Sequence, residues 1–467
     1  MTSPGSAKWT SVRSGSELNP IQIAADGKLL FRSDAPSFGY STSYLTTQAP
    51  TNPDSPQVKS TYDSSTNTYT LYNDYLTAVI GVDGIISLLD NQQNPVLQGT
   101  GNQIVFYVDG GGIYRFGNEI PGDGNNGYPE VLFHPLTPVV ALNGATLELI
   151  EDGQPGKLRI SVGVKGTFIV DSDSYDFQMV YSLVAGENLL RISTKGKAPS
   201  GYSVMVYFPF TQKATSLIHG TAHHWDTGYP RQYWTNNASY NPQFDPTKVE
   251  YMTFEATHEF VIPQAGETML GAIYHASTPA WAIDTNGNVL GCILRNTPGN
   301  FNGAFGSDAA EHLASYAIRV PGGTLQSPLV GAASGGPLGE ALQFNNPLIG
   351  VPLPSSQVGS VSLLDQMSVA ATADPTAIVT AVKAGTMTET ELILRVYKPT
   401  TTALAGVEVM IDQSIGGLFQ QNGVLQVSGR TAVELPLQQP LTIEPQASNF
   451  TFTAPFALTT LALEGLT

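Results

Sequence analysis

Apolar side chains recur with a period of two over much of this chain, and the clearest instance is Leu71 to Asp90, LYNDYLTAVIGVDGIISLLD. Leu76, Ala78, Ile80 and Val82 alternate with Thr77, Val79 and Gly81; Asp83-Gly84 then interrupts, and Ile85, Ile86, Leu88 and Leu89 resume. The pattern predicts a β-hairpin, because an Asp-Gly pair tolerates the positive φ values of a tight primed turn. Both strands are more apolar than a half-exposed pair needs. The hairpin is therefore expected inside a large sheet packed on both faces.

The same period marks strands on either side. Residues 1 to 26 are polar and punctuated by Gly, Ser and Pro; Lys28 to Arg32 and Ser41 to Thr46 predict short strands, and Thr47 to Ser65 a linker-like loop. After the hairpin, strands are expected at Ile104 to Val108, Pro138 to Ile150, Leu158 to Val170, Tyr175 to Val184, Leu189 to Lys195 and Tyr202 to Phe208. They return at Tyr251 to Pro263, Thr268 to His275, Ala280 to Asp284 and Val289 to Arg295. Asp308 to Ala317 is the best helix candidate, and it reads equally well as leading into a strand, Ser315 to Val320. Gly331 to Ser356 has the Gly/Pro density of an interdomain connection; beyond it, Leu392 to Tyr397, Val407 to Ile411, Ala432 to Leu437 and Phe456 to Leu463 read as strands. Strands without intervening helical periods predict a sandwich rather than βαβ units.

Composition strengthens that reading. Of 467 residues only 13% are charged, while 47 are Gly, 32 Pro, 20 Tyr and 19 Phe, a mixture that feeds turns and strands rather than helices. The formal charge of −17 offers nothing to a phosphate backbone or an anionic bilayer, so neither nucleic acid nor membrane is expected as a partner. No stretch reaches the ~18 apolar residues of a membrane span. The start has no apolar core of a signal peptide, which leaves a cytoplasmic and a mature exported protein equally open. Cys292, the single cysteine, sits in an apolar run and is expected as core filler.

The order of segments resembles a known family. The run LYNDYLTAVIGVDGIISLLDN, followed by GGGIYRF, then AIVTAVKAG, TELILRVYKPT and a terminal FTAPFALTTLALEG, is similar to the C-terminal all-β region of glycoside hydrolase family 38, the α-mannosidases; LLFRSDAPSFGYSTSYL resembles the strand before that region. The resemblance spans the chain from about Leu29. It implies an all-β fold: a large galactose-mutarotase-like supersandwich over residues 66 to 330, after an N-terminal strand segment and linker (1 to 65). A Gly/Pro-rich linker (331 to 356) and a small β-domain (357 to 467) would follow. The family's metal-binding and nucleophile residues belong to an α/β barrel that this sequence does not show, so none is carried over.

Candidate chemistry must come from the residues themselves. His219, His223, His224, Trp225, Asp226, Tyr229, Arg231, Tyr233 and Trp234 crowd one polar, aromatic stretch without strand periodicity. As a carbohydrate site, its aromatic faces would stack on sugar C–H surfaces and its charged groups would bind hydroxyls, with His223, Tyr229 and Arg231 as the catalytic candidates. Alternatively the stretch is a loop packed over a sheet edge. Adjacent histidines in an extended loop point opposite ways, so no metal is assigned, and no cofactor is indicated. Tyr114, Arg115 and Glu119, just after Gly110 to Gly112, are further substrate-binding candidates; with Asp123, Glu119 could pair carboxylates about a glycosidic bond, or lie in a solvated loop. Asp171, Asp173 and Asp176 lack the spacing of a calcium loop and predict a solvated hairpin tip. Tyr316 and Arg319, near Glu311 and His312, are explained by a surface ion pair, and His134, His258 and His275 as structural histidines.

Three functions stay open. One is a β-region related to α-mannosidases, binding carbohydrate and walling a cleft, with a separate catalytic chain as a further partner. The others are a stand-alone polysaccharide-degrading lyase or hydrolase using the 219 to 234 loop, and a non-enzymatic glycan-binding or self-assembling β-module.

Overall fold

The structure, a computed structural model, describes residues 9–14, 16–33, 39–51, 56–108, 142–154, 156–170, 172–221, 225–228, 255–276, 278, 280–284, 286–296, 310–322, 336–348, 350, 366–368, 370–372, 378–384, 392–397, 409–411, 431–432 and 458–463. Two compact units are present: Pro56–Thr221 with Asp226–Leu325, and Met1–Ser55 with Ala222–Trp225 and Gln326–Thr467. Both are built of antiparallel sheets, as the period of two requires.

The larger unit is a sandwich. Its main sheet runs, in spatial order, Asn143–Glu151, Arg159–Val170, Asp173–Val184, Leu189–Gly196, His312–Arg319, Ala272–Ala276, Phe260–Ala265, Ser216–Gly220 and Trp225–Gly228, with Thr268–Met269 paired off the path. A five-stranded sheet, Gln103–Val108, Tyr202–Phe208, Val289–Asn296, Ala280–Ile283 and Glu255–Ala256, and a four-stranded sheet, Lys59–Asp63, Thr68–Tyr72, Leu76–Gly81 and Gly84–Asp90, supply the other walls. One continuous core joins all three: Leu71, Ile80 and Leu88 from the four-stranded sheet, Phe106, Val206 and Trp281 from the five-stranded sheet, and Val162, Tyr181, Ile192 and Tyr316 from the main sheet. Phe106 meets Phe168 and Phe177 of the main sheet edge-on, at centroid distances of 5.1 and 5.9 Å.

The predicted hairpin forms, with two differences. Only Gly84 takes positive φ (125°); Val82 and Asp83 do not, and the register slips between Val79 and Ile80, so the turn is eased by a bulge rather than by a primed pair. The hairpin also lies in the four-stranded sheet, with Leu76, Ala78 and Ile80 buried and Thr77 and Val79 half-exposed, so one face is packed and not two. The five-stranded sheet, by contrast, is buried on both faces. Val204, Val206 and Phe208 enter the main core, while Met205 joins Val105, Ala282, Leu290 and Cys292 on the reverse face. Cys292 is indeed core filler, fully buried.

Buried polar groups inside the sandwich are joined to one another. Tyr316 Oη donates to Asn102 Oδ1 (2.6 Å) and lies 2.7 Å from Thr194 Oγ1; Asn102 Nδ2 donates to Tyr181 Oη (2.9 Å). Burial pushes both tyrosine hydroxyls up, out of the range in which they would ionise. This corrects the surface reading of Tyr316 and Arg319: both are fully buried, and Arg319 donates to the carbonyls of Val320 and Gly322 at 3.0 Å. The surface ion pair is instead Glu311 with Lys195, at 2.5 Å. Of the two readings of the stretch from Asp308, the strand holds and the helix does not: His312–Arg319 is a strand whose Tyr316 and Ile318 alternate into the core. Asp173 and Asp176 are exposed at a hairpin tip, as expected.

In the smaller unit, Leu29–Phe31, Glu17–Ile23, Ser11–Ser14 and Tyr44–Thr46 make one sheet, and Gly39–Ser41 pairs with Gln366–Ser368. Strands within the first 26 residues were not expected from their polarity; Val12 and Ile21 are nonetheless buried. Ile378–Ala384, Leu392–Tyr397 and Leu458–Leu463 form a three-stranded sheet, which places three of the segments behind the family resemblance side by side. Ala370–Thr372, Val409–Ile411 and Thr431–Ala432 form another. The stretch read as a linker contains the helix Pro337–Asn345. Pro337 opens it with φ already suited to a helix, Glu340 favours its first turn, and Leu338 and Ala341 bury one side.

Candidate functional site

One end of the sandwich concentrates polar groups with unmet hydrogen-bonding capacity. In the five-stranded sheet Val108, Tyr202 and Asn296 lie opposite one another in register; in the main sheet Gly196 lies opposite His312 at the same end. The connections from 196 to 202, 256 to 260 and 276 to 280 all turn here. The strands ending at Val108, Gly220 and Asn296 also stop here.

The bend Thr257 to Phe260 is the centre of this end. The His258 N–H donates to the Gly220 carbonyl (2.8 Å), the Phe260 N–H donates to the His258 carbonyl (2.7 Å), and the His275 N–H donates to the Glu259 carbonyl (2.9 Å). The Phe260 to His258 bond spans two residues around Glu259, whose φ is +67°. That is a γ-turn of the positive-φ hand, the rarer and more strained one. Glycine at 220 is required by the approach: a Cβ there would meet the His258 carbonyl oxygen at 2.1 Å.

His275 meets this bend through Thr257, and Trp281 packs on His275. His275 is 2% exposed, its Nε2 lies 3.0 Å from Thr257 Oγ1, and its ring tilts against Trp281 at 5.6 Å. Burial, aided by the charge of nearby His258, lowers its pKa to about 3, so it is neutral at physiological pH. The Glu259 carboxyl is half-buried and desolvation raises its pKa, with His258 opposing the shift. Among the described residues of the larger unit, His219 Nδ1, Thr278 Oγ1, Trp281 Nε1 and Asn296 Oδ1 are buried with no hydrogen-bond partner; Trp9 Nε1 and Ser43 Oγ are likewise unpartnered in the smaller one. Such groups are costly unless something satisfies them. They offer hydrogen-bond donors and acceptors at the same end of the sheets as the Glu259 carboxyl.

Of the residues singled out in the sequence, His219 sits in this arrangement, on the strand paired with Phe260–Ala265. Trp225 and Asp226 begin the edge strand Trp225–Gly228; Asp226 is exposed and its Oδ1 accepts from the Thr227 N–H at 2.7 Å. His223, His224, Tyr229, Arg231, Tyr233 and Trp234 lie outside the described residues, as do Tyr114, Arg115 and Glu119, together with Asp123, Asp171 and His134. Val108 and Thr221 are the last described residues before the segments that carry Tyr114 and His223. Thr257, Glu259, Thr278, Trp281 and Asn296 were not foreseen, and His275, paired with Thr257 as a structural histidine should be, also borders the cluster. His258 is exposed rather than buried. No group of three or more His, Cys, Asp or Glu side chains suited to a metal ion occurs among the described residues. No helix there is long and apolar enough to cross a membrane.

No family model matches the sequence, and no curated protein matches it. Solved structures do match. A protein in glycosyl hydrolase family 38 from Enterococcus faecalis aligns over 97% of this chain with a TM-score of 0.61 at 13% identity. An α-mannosidase from Enterococcus faecalis V583 aligns over 98%, with a TM-score of 0.59 at 13% identity. In both cases the chain spans 51% of the other protein's length. A galactose mutarotase related enzyme from Lactobacillus acidophilus aligns over 55% of the chain with a TM-score of only 0.30 at 12% identity, too low to build on. The all-β fold of this chain is thus shared with about half of a family-38 protein, as the sequence resemblance implied.

Proposed function

We propose that this chain is a carbohydrate-binding β-region of α-mannosidase type, contributing binding and cleft walls while the hydrolytic step is carried by residues outside it. The observation that supports this most is the extent of the likeness, nearly the whole of this chain against half of two proteins described as family-38 or α-mannosidase. The polar end of the sandwich offers chemistry a glycan can use: buried donors and acceptors, a carboxyl and aromatic surface, carried partly on strand ends and partly on the bend and connection between them. The catalytic barrel and any separate catalytic chain belong to the same proposal.

A second reading, a stand-alone carbohydrate-active enzyme using the 219 to 234 loop, is favoured by the buried, unpartnered Nδ1 of His219 at the base of that loop. Calorimetric titration of the purified chain with α-linked manno-oligosaccharides, followed by assay of the same mixtures for new reducing ends, separates the two. Binding without new reducing ends supports the first reading; release of reducing ends supports the second. No binding and no release removes both.

A further inference from the structure

We propose that the γ-turn at Glu259, together with His219 on the neighbouring strand, is the hydroxyl-binding centre of the chain, and that it takes a neutral glycoside in preference to an anionic one. The inference deepens the carbohydrate-binding reading and rests on it.

The argument starts from strain. A side chain at φ +67° is disfavoured for any residue but glycine, asparagine and aspartate, and a γ-turn of this hand is strained in itself. Glycine at 259 would remove the penalty and leave the backbone hydrogen bonds of the bend intact. Among the described residues the carboxyl makes no ion pair, although His258 lies near enough to act on it electrostatically. Strain retained without a structural return is found where a side chain must be aimed at a ligand.

Independent support comes from His219. Its ring is 6% exposed, and its Nδ1 has no partner. In register it lies opposite Val261, two residues from Glu259, and its neighbour Gly220 accepts from the His258 N–H. On this proposal the Glu259 carboxylate accepts from two ligand hydroxyls and the His219 nitrogen makes a third contact. Thr278, on the connection from 276 to 280 at the same end, adds an unpartnered hydroxyl.

Charge sets the ligand class. Sugar hydroxyls donate well to a carboxylate, and these charge-assisted bonds are the stronger ones. A uronate or sulfate would instead face Glu259 and a chain of net charge −17. The described groups around the bend, His219, His258, Thr257, His275 and Thr278, include no lysine or arginine to offset that repulsion.

The test uses the full chain, with methyl α-mannoside and methyl glucuronide as probes in calorimetry, and Glu259→Gly, Glu259→Gln and His219→Phe as variants. Glu259→Gly is expected to melt at a higher temperature than the parent and to bind the mannoside at least tenfold more weakly. Glu259→Gln and His219→Phe are expected to lose at least fivefold, and the parent to bind the glucuronide at least tenfold more weakly than the mannoside. Retention of parental mannoside affinity by Glu259→Gly, or a lower melting temperature for it, overturns the inference while leaving the carbohydrate-binding reading in place. Equal affinity for the glucuronide overturns the ligand class. A parent chain that binds neither probe overturns the reading itself and this inference with it.

Discussion

Acid should destabilise the sandwich through His275, and the size of the effect follows from its surroundings. The ring is nine-tenths or more buried, hydrogen-bonded to the neutral Thr257 hydroxyl, tilted on Trp281, and near a second histidine, His258. Its pKa falls from 6.5 to about 3 in the folded chain, burial being the larger cause. The unfolded chain therefore takes up a proton near pH 6.5 while the folded chain resists it. The neutral ring's contribution is fully present above pH 6.5 and is lost as pH falls towards 3. At about 1.4 kcal/mol per pH unit, roughly 3 kcal/mol is lost by pH 4, and roughly 4 kcal/mol by pH 3, where the folded ring itself begins to protonate. Urea denaturation of the parent and of His275→Gln between pH 7 and pH 4 isolates this part, because every other group titrates in both proteins. The gap between the two curves should close by about 1.4 kcal/mol per pH unit below pH ~6. Parallel curves would refute the argument and show that the buried ring is protonated or solvated at neutral pH.

Other perturbations test the packing around the site. Tyr316→Phe deletes the hydroxyl that joins Thr194 to Asn102 and leaves buried groups unpaired; a loss of about 1–3 kcal/mol in denaturant unfolding is expected. Gly220→Ala places a Cβ 2.1 Å from the His258 carbonyl oxygen, so the strand pair must separate, and about 1–3 kcal/mol or more should be lost together with sugar binding. The Cys292 thiol, fully buried, should stay silent to a thiol reagent in the native chain and react once as the chain unfolds.

The fold was largely legible because alternation is a local signal. Tyr202 to Phe208 was read to the residue, and the three segments quoted from the C-terminal part lie together in one sheet. The errors have physical causes. Arg319 and Tyr316 look like surface chemistry, yet partners distant in sequence, such as Asn102, make burial affordable. Pro337 inside a Gly/Pro stretch reads as a breaker, whereas at the first turn it starts a helix. Sheet membership of the organising hairpin depends on which strands it meets, and its own alternation does not carry that information. For the site, His219 was legible as one of several histidines in a polar stretch. Glu259 was not, since nothing local distinguishes a glutamate that will be held at positive φ. His275, Trp281 and Asn296 are typical core residues until the register brings their polar atoms to one end.

The central claim is that this chain binds a neutral glycan without cleaving it. Incubating the purified chain with an aryl α-mannoside, with and without added zinc, and following release of the aryl group tests that most directly, provided binding of the same glycoside is measured alongside. The account predicts saturable binding and no release above the uncatalysed rate under either condition. Release that depends on the chain, and that is lost in His223→Ala or Tyr229→Phe, would contradict it and place the catalytic machinery within these 467 residues.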